Sequence, residues 1–139
     1  MSLSDEKVYG SWYYYAEGNM NDYTTATSTE FGKGMSNTIN IMEKWNNNEY
    51  GLQNENDIWR NIKSQVERGW YVPSKEEWAA FADAFKITAS NYMEFEILPE
   101  YWSSSQNSVY AVWNVIFGSN MFGYSGSHGE NNVRLGTTF

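Results

Sequence analysis

The chain has 139 residues, no cysteine, and 17 acidic against 9 basic residues, a net charge of −8. The missing thiols exclude cysteine catalysis, thiolate metal sites and disulfides. The acidic balance, with no Lys/Arg cluster, argues against nucleic acid or an anionic membrane surface as partner.

A chain of this length reads as one domain, 1–139, that buries roughly two thirds of its unfolded surface without a staple. Seven Trp, within an aromatic content of 18%, supply large packing units. No apolar run approaches the roughly 20 residues of a membrane span, so no membrane insertion is expected. The opening "MSLSDEKVYG" is too polar for a signal peptide. Residues 1–7 read as a flexible or cloning-derived lead.

In chain order, Val8–Glu17 ("VYGSWYYYAE") is β-branched and aromatic and predicts a strand. An Asn- and Thr-rich loop follows, with room for a short strand around Tyr23–Thr27. Ser36–Trp45 predicts a short helix, capped by the Ser36 or Asn37 side chain. Asp57–Arg68 predicts a second, with Ile58, Ile62 and Val66 on one stripe. Trp70–Val72 reads as a short strand ended by Pro73. Ser74 then caps a third helix, and Glu77 completes the S-x-x-E capping box. In that helix Trp78, Phe81, Ala82 and Phe85 recur on one face, which marks them as core.

After the apolar patch "FEILP" the period switches to two. Val109, Ala111, Trp113, Val115 and Phe117 share one face of a strand, and Tyr110 and Asn114 lie on the other. Gly118–Asn120 suits a hairpin turn. "MFGYS" returns as a strand, "GSHGE" turns again, and "NNVRLGTTF" closes the sheet. Helices first and antiparallel strands last predict an α+β fold.

The abundant Asn suits turns, since its amide bonds the local backbone. With neighbouring Tyr and Trp it also suits a surface that hydrogen-bonds and stacks on a polar ligand. If the face of Trp113 turns inward, Tyr110 and Asn114 face outward beside Gln106, Asn107, Ser119 and Asn120. The later turns add Tyr124, His128 and Asn131. These nine residues are the candidate ligand-binding set.

Taken together, "GKGMSNTINIM", "GWYVPSKEEWAAF", "YWSSS", "AVWNVIFGS" and "VRLGTTF" resemble a bacterial and phage branch of the C-type lectin fold, over roughly Gly32 to Phe139. That broad fold includes formylglycine-generating enzymes, variable proteins of diversity-generating retroelements, and adhesin and phage-tail modules. The resemblance implies short helices packed on a twisted antiparallel sheet, with the Trp78 helix on a strand formed by "YWSSS". Tyr101 and Trp102 then point to opposite faces, one of them into the core. The resemblance also assigns Arg134 to the terminal V-R, which we expect to pair with a carboxylate such as Glu77. The second arginine of that pattern is replaced by Gly136.

An enzymatic reading finds little purchase. Formylglycine chemistry in the family is carried by cysteines, and its iron-dependent branch needs several His, whereas only His128 is present. No G-x-S-x-G elbow accompanies the Ser residues. Glu94, Glu96 and Glu100 are the carboxylates from which a glycosidase pair would be drawn, but acidic loops are ordinarily solvated. Calcium-dependent sugar binding would need E-P-N or Q-P-D with W-N-D, whereas the chain has "LPE" and "VWNVI". No cofactor and no metal are therefore expected.

The expectation is a non-enzymatic recognition module of a phage tail or of a bacterial surface or secreted protein, hence extracellular, cell-surface or on a virion. Its partner would be a cell-surface glycan or protein. The alternative is a structural or homo-oligomerising module whose subunit contacts would include Phe95, Ile97 and Met121.

Overall fold

The computed structural model describes residues 6–14 and 19–138. The expectations for residues 1–5, for the first strand beyond Tyr14, and for Phe139 lie outside them. Among the described residues the strands are β1 (Glu6–Ser11), β2 (Glu100–Gln106), β3 (Ala111–Ile116), β4 (Met121–Gly126) and β5 (Glu130–Val133). The helices are α1 (Tyr23–Ala26), α2 (Gly34–Asn46), α3 (Ile58–Glu67) and α4 (Lys75–Ala84), with a 3-10 turn at Tyr92–Phe95. The fold is α+β.

The strands form one sheet in the order β1-β5-β2-β3-β4. It is mixed, not purely antiparallel: β2 runs parallel to β5, and every other neighbouring pair is antiparallel. The strands at the two edges are β1 and β4.

Helices cover both faces of the sheet, and β2 shows why. Tyr101 and Trp102 do point to opposite faces, but both are fully buried. Trp102 joins a core with Trp12, Ile41, Trp45, Ile58, Trp59 and Ile62, filled from α2 and α3. Tyr101 joins a second core with Trp78, Ala82, Val115 and Phe117, filled from α4. Its ring stacks on Trp78 at 5.1 Å. Burial on both faces also removes the simple alternation expected of β3, where Val112 and Val115 are both at 0% exposure.

The helices follow their apolar stripes. In α2 the buried positions Asn37, Thr38, Ile41, Met42 and Trp45 share one face. It starts at Gly34, with Ser36 and Asn37 inside it and Lys33 at its N-cap, so neither expected side chain caps it. Helix α4 carries the full capping box: Ser74 Oγ accepts from Glu77 N–H at 3.3 Å, and the Glu77 carboxylate accepts from Ser74 N–H at 2.8 Å. Trp78 and Ala82 are buried, but Phe81 is only partly covered and Phe85 is 56% exposed, so the apolar face of α4 is narrower than its pattern.

Three segments differ from expectation. Tyr23–Ala26 is a helical turn and not a strand. Trp70–Val72 contributes only one isolated bridge, Tyr71 to Gly136. The last strand stops at Val133.

Polar motif residues build the frame. Asn37 accepts from Ser28 N–H at 2.9 Å and donates to Ser28 O at 2.7 Å and Ser104 Oγ at 3.2 Å. Thr38 Oγ1 accepts from Val72 N–H at 3.0 Å. Ser103 Oγ donates to Trp113 O at 2.7 Å, and Ser105 Oγ to Ser28 O at 2.8 Å. The serines thus satisfy backbone groups where the β2–β3 register shifts, between Trp102 and Gln106. Glu77, the carboxylate expected opposite Arg134, is engaged by backbone donors, the N–H groups of Gly32 (3.1 Å), Gly34 (3.3 Å) and Ser74.

Candidate functional site

The most exposed aromatic surface on the sheet lies on the β3–β4 hairpin. Trp113 and Tyr124 are directly paired across the two strands. Their rings meet edge to face at 6.2 Å and 88°. Tyr124 is 66% exposed, and Trp113 is half-buried beneath it. Both lie on the face that α4 packs against, beyond the start of that helix. Helix α4 adds a cation: Lys75 Nζ sits 4.2 Å from the Trp113 ring centre and 5.2 Å from that of Phe122. At these distances the ammonium lies in the negative field of the ring faces. The "YWSSS" strand sets its position, because Ser105 Oγ accepts from Lys75 N–H at 3.0 Å.

This geometry corrects the sequence-derived face of Trp113, which was expected inside. It also divides the candidate set. Asn114 is 1% exposed, not outward-facing: it lies on the Trp102 face, where its Nδ2 donates to Ser125 Oγ at 2.8 Å. Gln106 and Asn131 are likewise buried, each at 5%. Gln106 lies beside the Tyr50 hydroxyl, and Asn131 pairs with Gly10 of β1.

The exposed members do not converge on one spot. Tyr110 (52% exposed) and His128 meet at one end of the hairpin, where Ser127 N–H donates to Tyr110 O at 2.9 Å. Asn107, half-buried, belongs to the same end, its N–H donating to Ala111 O at 2.8 Å. Ser119 and Asn120 occupy the opposite turn. The intervening strand length puts the two ends about 20 Å apart. Only Tyr124 of the nine belongs to the aromatic surface. Lys75 and Phe122 were missed, and their one signal was placement: the capped helix begins with a lysine that the Ser run holds against β3.

Among the described residues, three clefts flank the sheet and helices. One, of ≈ 370 Å³, runs between α4 and β4 and is lined by Ala79, Ala82, Asp83, Lys86, Met121 and Phe122 among others. A second, of ≈ 320 Å³, is apolar, between Phe31, Tyr71, Phe81 and Phe85. The third, of ≈ 320 Å³, is polar, around Asp22, Asn40, Glu43, Lys44 and Glu49. In it Lys44 bridges Asp22 at 2.5 Å and Glu49 at 2.8 Å, and the Tyr50 hydroxyl donates to Asp22 at 2.6 Å. Burial acts to raise the Asp22 carboxyl, but the Lys44 and Tyr50 bonds outweigh it and hold it below the usual carboxylate range.

Glu94 and Glu96 are exposed and Glu100 is half-buried, and none lines any of these clefts. Among the described residues no cluster of three or more His, Asp or Glu is arranged to hold a metal ion. Among them, too, no helix is long and apolar enough to cross a membrane. No protein-family model, curated protein or solved structure matches the chain.

Proposed function

We propose that this chain is a non-enzymatic recognition module that binds a cell-surface glycan or protein through the aromatic surface of its β3–β4 hairpin. The observation that carries the proposal is the Trp113–Tyr124 pair, whose Tyr124 ring is 66% exposed on the sheet face that α4 packs against. Rigid aromatic rings present contact area at low entropy cost, which is what a recognition surface needs. The order of the "GWYVPSKEEW", "YWSSS" and "VR" motifs supports a C-type lectin-like arrangement. It supports equally a setting in a phage tail or a bacterial surface or secreted protein.

The test is binding of labelled protein to a broad glycan array and to a panel of bacterial cells, comparing wild type with Tyr124→Ala. Tyr124 is exposed, so its truncation leaves the fold intact by circular dichroism. A central aromatic contact predicts a loss on the order of tenfold or more. A ligand bound equally well by the variant would remove this surface from the proposal.

A structural or oligomerising role is the second reading. It is favoured by Phe31 and Phe85, 70% and 56% exposed on either side of the apolar cleft. Of the contacts expected from sequence, Phe95 is 40% exposed but Ile97 is buried at 5%, and Met121 is half-buried. Light scattering across a concentration series decides this reading, since a mass that stays monomeric counts against it.

A further inference from the structure

The α4–β4 cleft and the Trp113–Tyr124 surface are continuous through Phe122. That residue lines the cleft, and its ring also lies 5.2 Å from Lys75 Nζ. The combined groove has a lysine near each end. Lys75 opens α4, and Lys86 follows the end of the helix in the left-handed conformation, φ 53°. The helical rise separates the two backbones by about 15 Å. Between them the helix side of the groove is Ala79 and Ala82, small enough to leave it open, with Asp83 beside them. The strand side carries Met121 and Phe122, and then Tyr124.

The whole molecule has a net charge of −8, so the two lysines are points of positive charge at the ends of an aromatic groove in an acidic protein. Among the described residues no carboxylate lies within 4 Å of either ammonium. The acids near them are Asp83 in the cleft and Glu76, exposed, next to Lys75 on α4.

We infer that the ligand is an acidic saccharide lying along this groove, a reading that rests on the recognition role proposed above. A pyranose ring has apolar C–H faces that stack on Tyr124 and Phe122. Carboxylates on its rim would pair with Lys75 and Lys86. The groove is longer than one sugar ring, so it fits an oligosaccharide with more than one charge. An acidic peptide could pair with the same lysines, but it would leave the exposed Tyr124 ring without a flat partner.

The experiment is titration calorimetry with a short oligogalacturonate, its carboxyl-reduced counterpart, sialyllactose and a poly-glutamate peptide. Wild type is expected to bind at least one of the carboxylated sugars. The oligogalacturonate and sialyllactose arms separate uronic from sialic acid as the source of the carboxylate. Charge-assisted pairing predicts that Lys75→Gln/Lys86→Gln weakens the bound sugar on the order of tenfold, and that carboxyl reduction weakens oligogalacturonate similarly. Tyr124→Ala is expected to weaken acidic and reduced sugars alike.

Equal affinity for the acidic and reduced sugars, or tighter binding of poly-glutamate, overturns the acidic-saccharide inference while leaving the recognition surface standing. If no sugar binds while a protein receptor does so in a Tyr124-dependent way, the inference falls and the recognition role survives. If no ligand of either kind depends on Tyr124, both fall.

Discussion

Gly34 shows how a single residue carries more than its neighbours reveal. A Cβ at this position would run into the Glu77 carboxylate and the Tyr71 ring. That carboxylate cannot step aside, since backbone N–H groups of Gly32, Gly34 and Ser74 hold it. Gly34→Ala would ordinarily gain up to about 1 kcal/mol of helix propensity. Here the clash wins, and urea denaturation should show a loss of about 1–3 kcal/mol. The "GKGMSNT" string was visible in sequence as a motif, yet its reason was not, because Glu77 lies 43 positions away. Asn114 failed for a related reason. Its polarity and the alternation of β3 both pointed outward, but the sheet is covered on both faces and alternation no longer sorts inside from outside. Tyr124 was legible because a large aromatic near a turn needs no long-range knowledge. Lys75 was not, because only the fold brings it over Trp113.

At the scale of elements, helix α4 was the most legible part of the molecule. Its Ser74 cap and its Glu77 return bond are both local, and both stand in the structure. The cap has a further job. Ser74 Oγ also donates to Glu30 O at 2.8 Å, so it ties the helix start to the loop before α2. Ser74→Ala should therefore cost about 1–2 kcal/mol in a denaturant melt, the upper part of the range for a lost cap. A loss below half of that would mean that the Glu30 link contributes nothing. Strand ends were less legible. "NNVRLGTTF" has the composition of one long strand, but only Glu130–Val133 finds partners on β1 and β2. The parallel β2–β5 contact depends on how the chain returns, which no periodicity records.

For the whole molecule, two carboxylates with opposite shifts shape the response to acid. Asp57 is fully buried. Burial raises its carboxyl above the usual range, and bonds from Trp45 Nε1, Asn54 N–H and Tyr14 N–H only partly offset this. Its contribution to stability is therefore present below about pH 3.9, the ordinary Asp value, and is lost as pH rises through its folded pKa. Asp22 is shifted down, so its contribution is present above that value and is lost as pH falls through its folded pKa. Asp22→Asn should lower Tm at neutral pH by about 2–4 °C, a partly exposed pair being worth little. That deficit should shrink toward nothing as the pH of the melts falls through the lowered pKa of Asp22. A deficit that is constant across pH would show that the Lys44 bridge does not contribute.

Strand β2 lies in the middle of this sheet with a buried ring on each side, Tyr101 against α4 and Trp102 against α2 and α3. Opening it means parting both cores at once, so neither half of the molecule can loosen alone without carrying that strand along. The hairpin that bears Tyr124 hangs from β2 through β3. The slowest clock in the molecule thus belongs to a buried strand two places along the sheet from Tyr124, and it sets how long the exposed rings keep their shape.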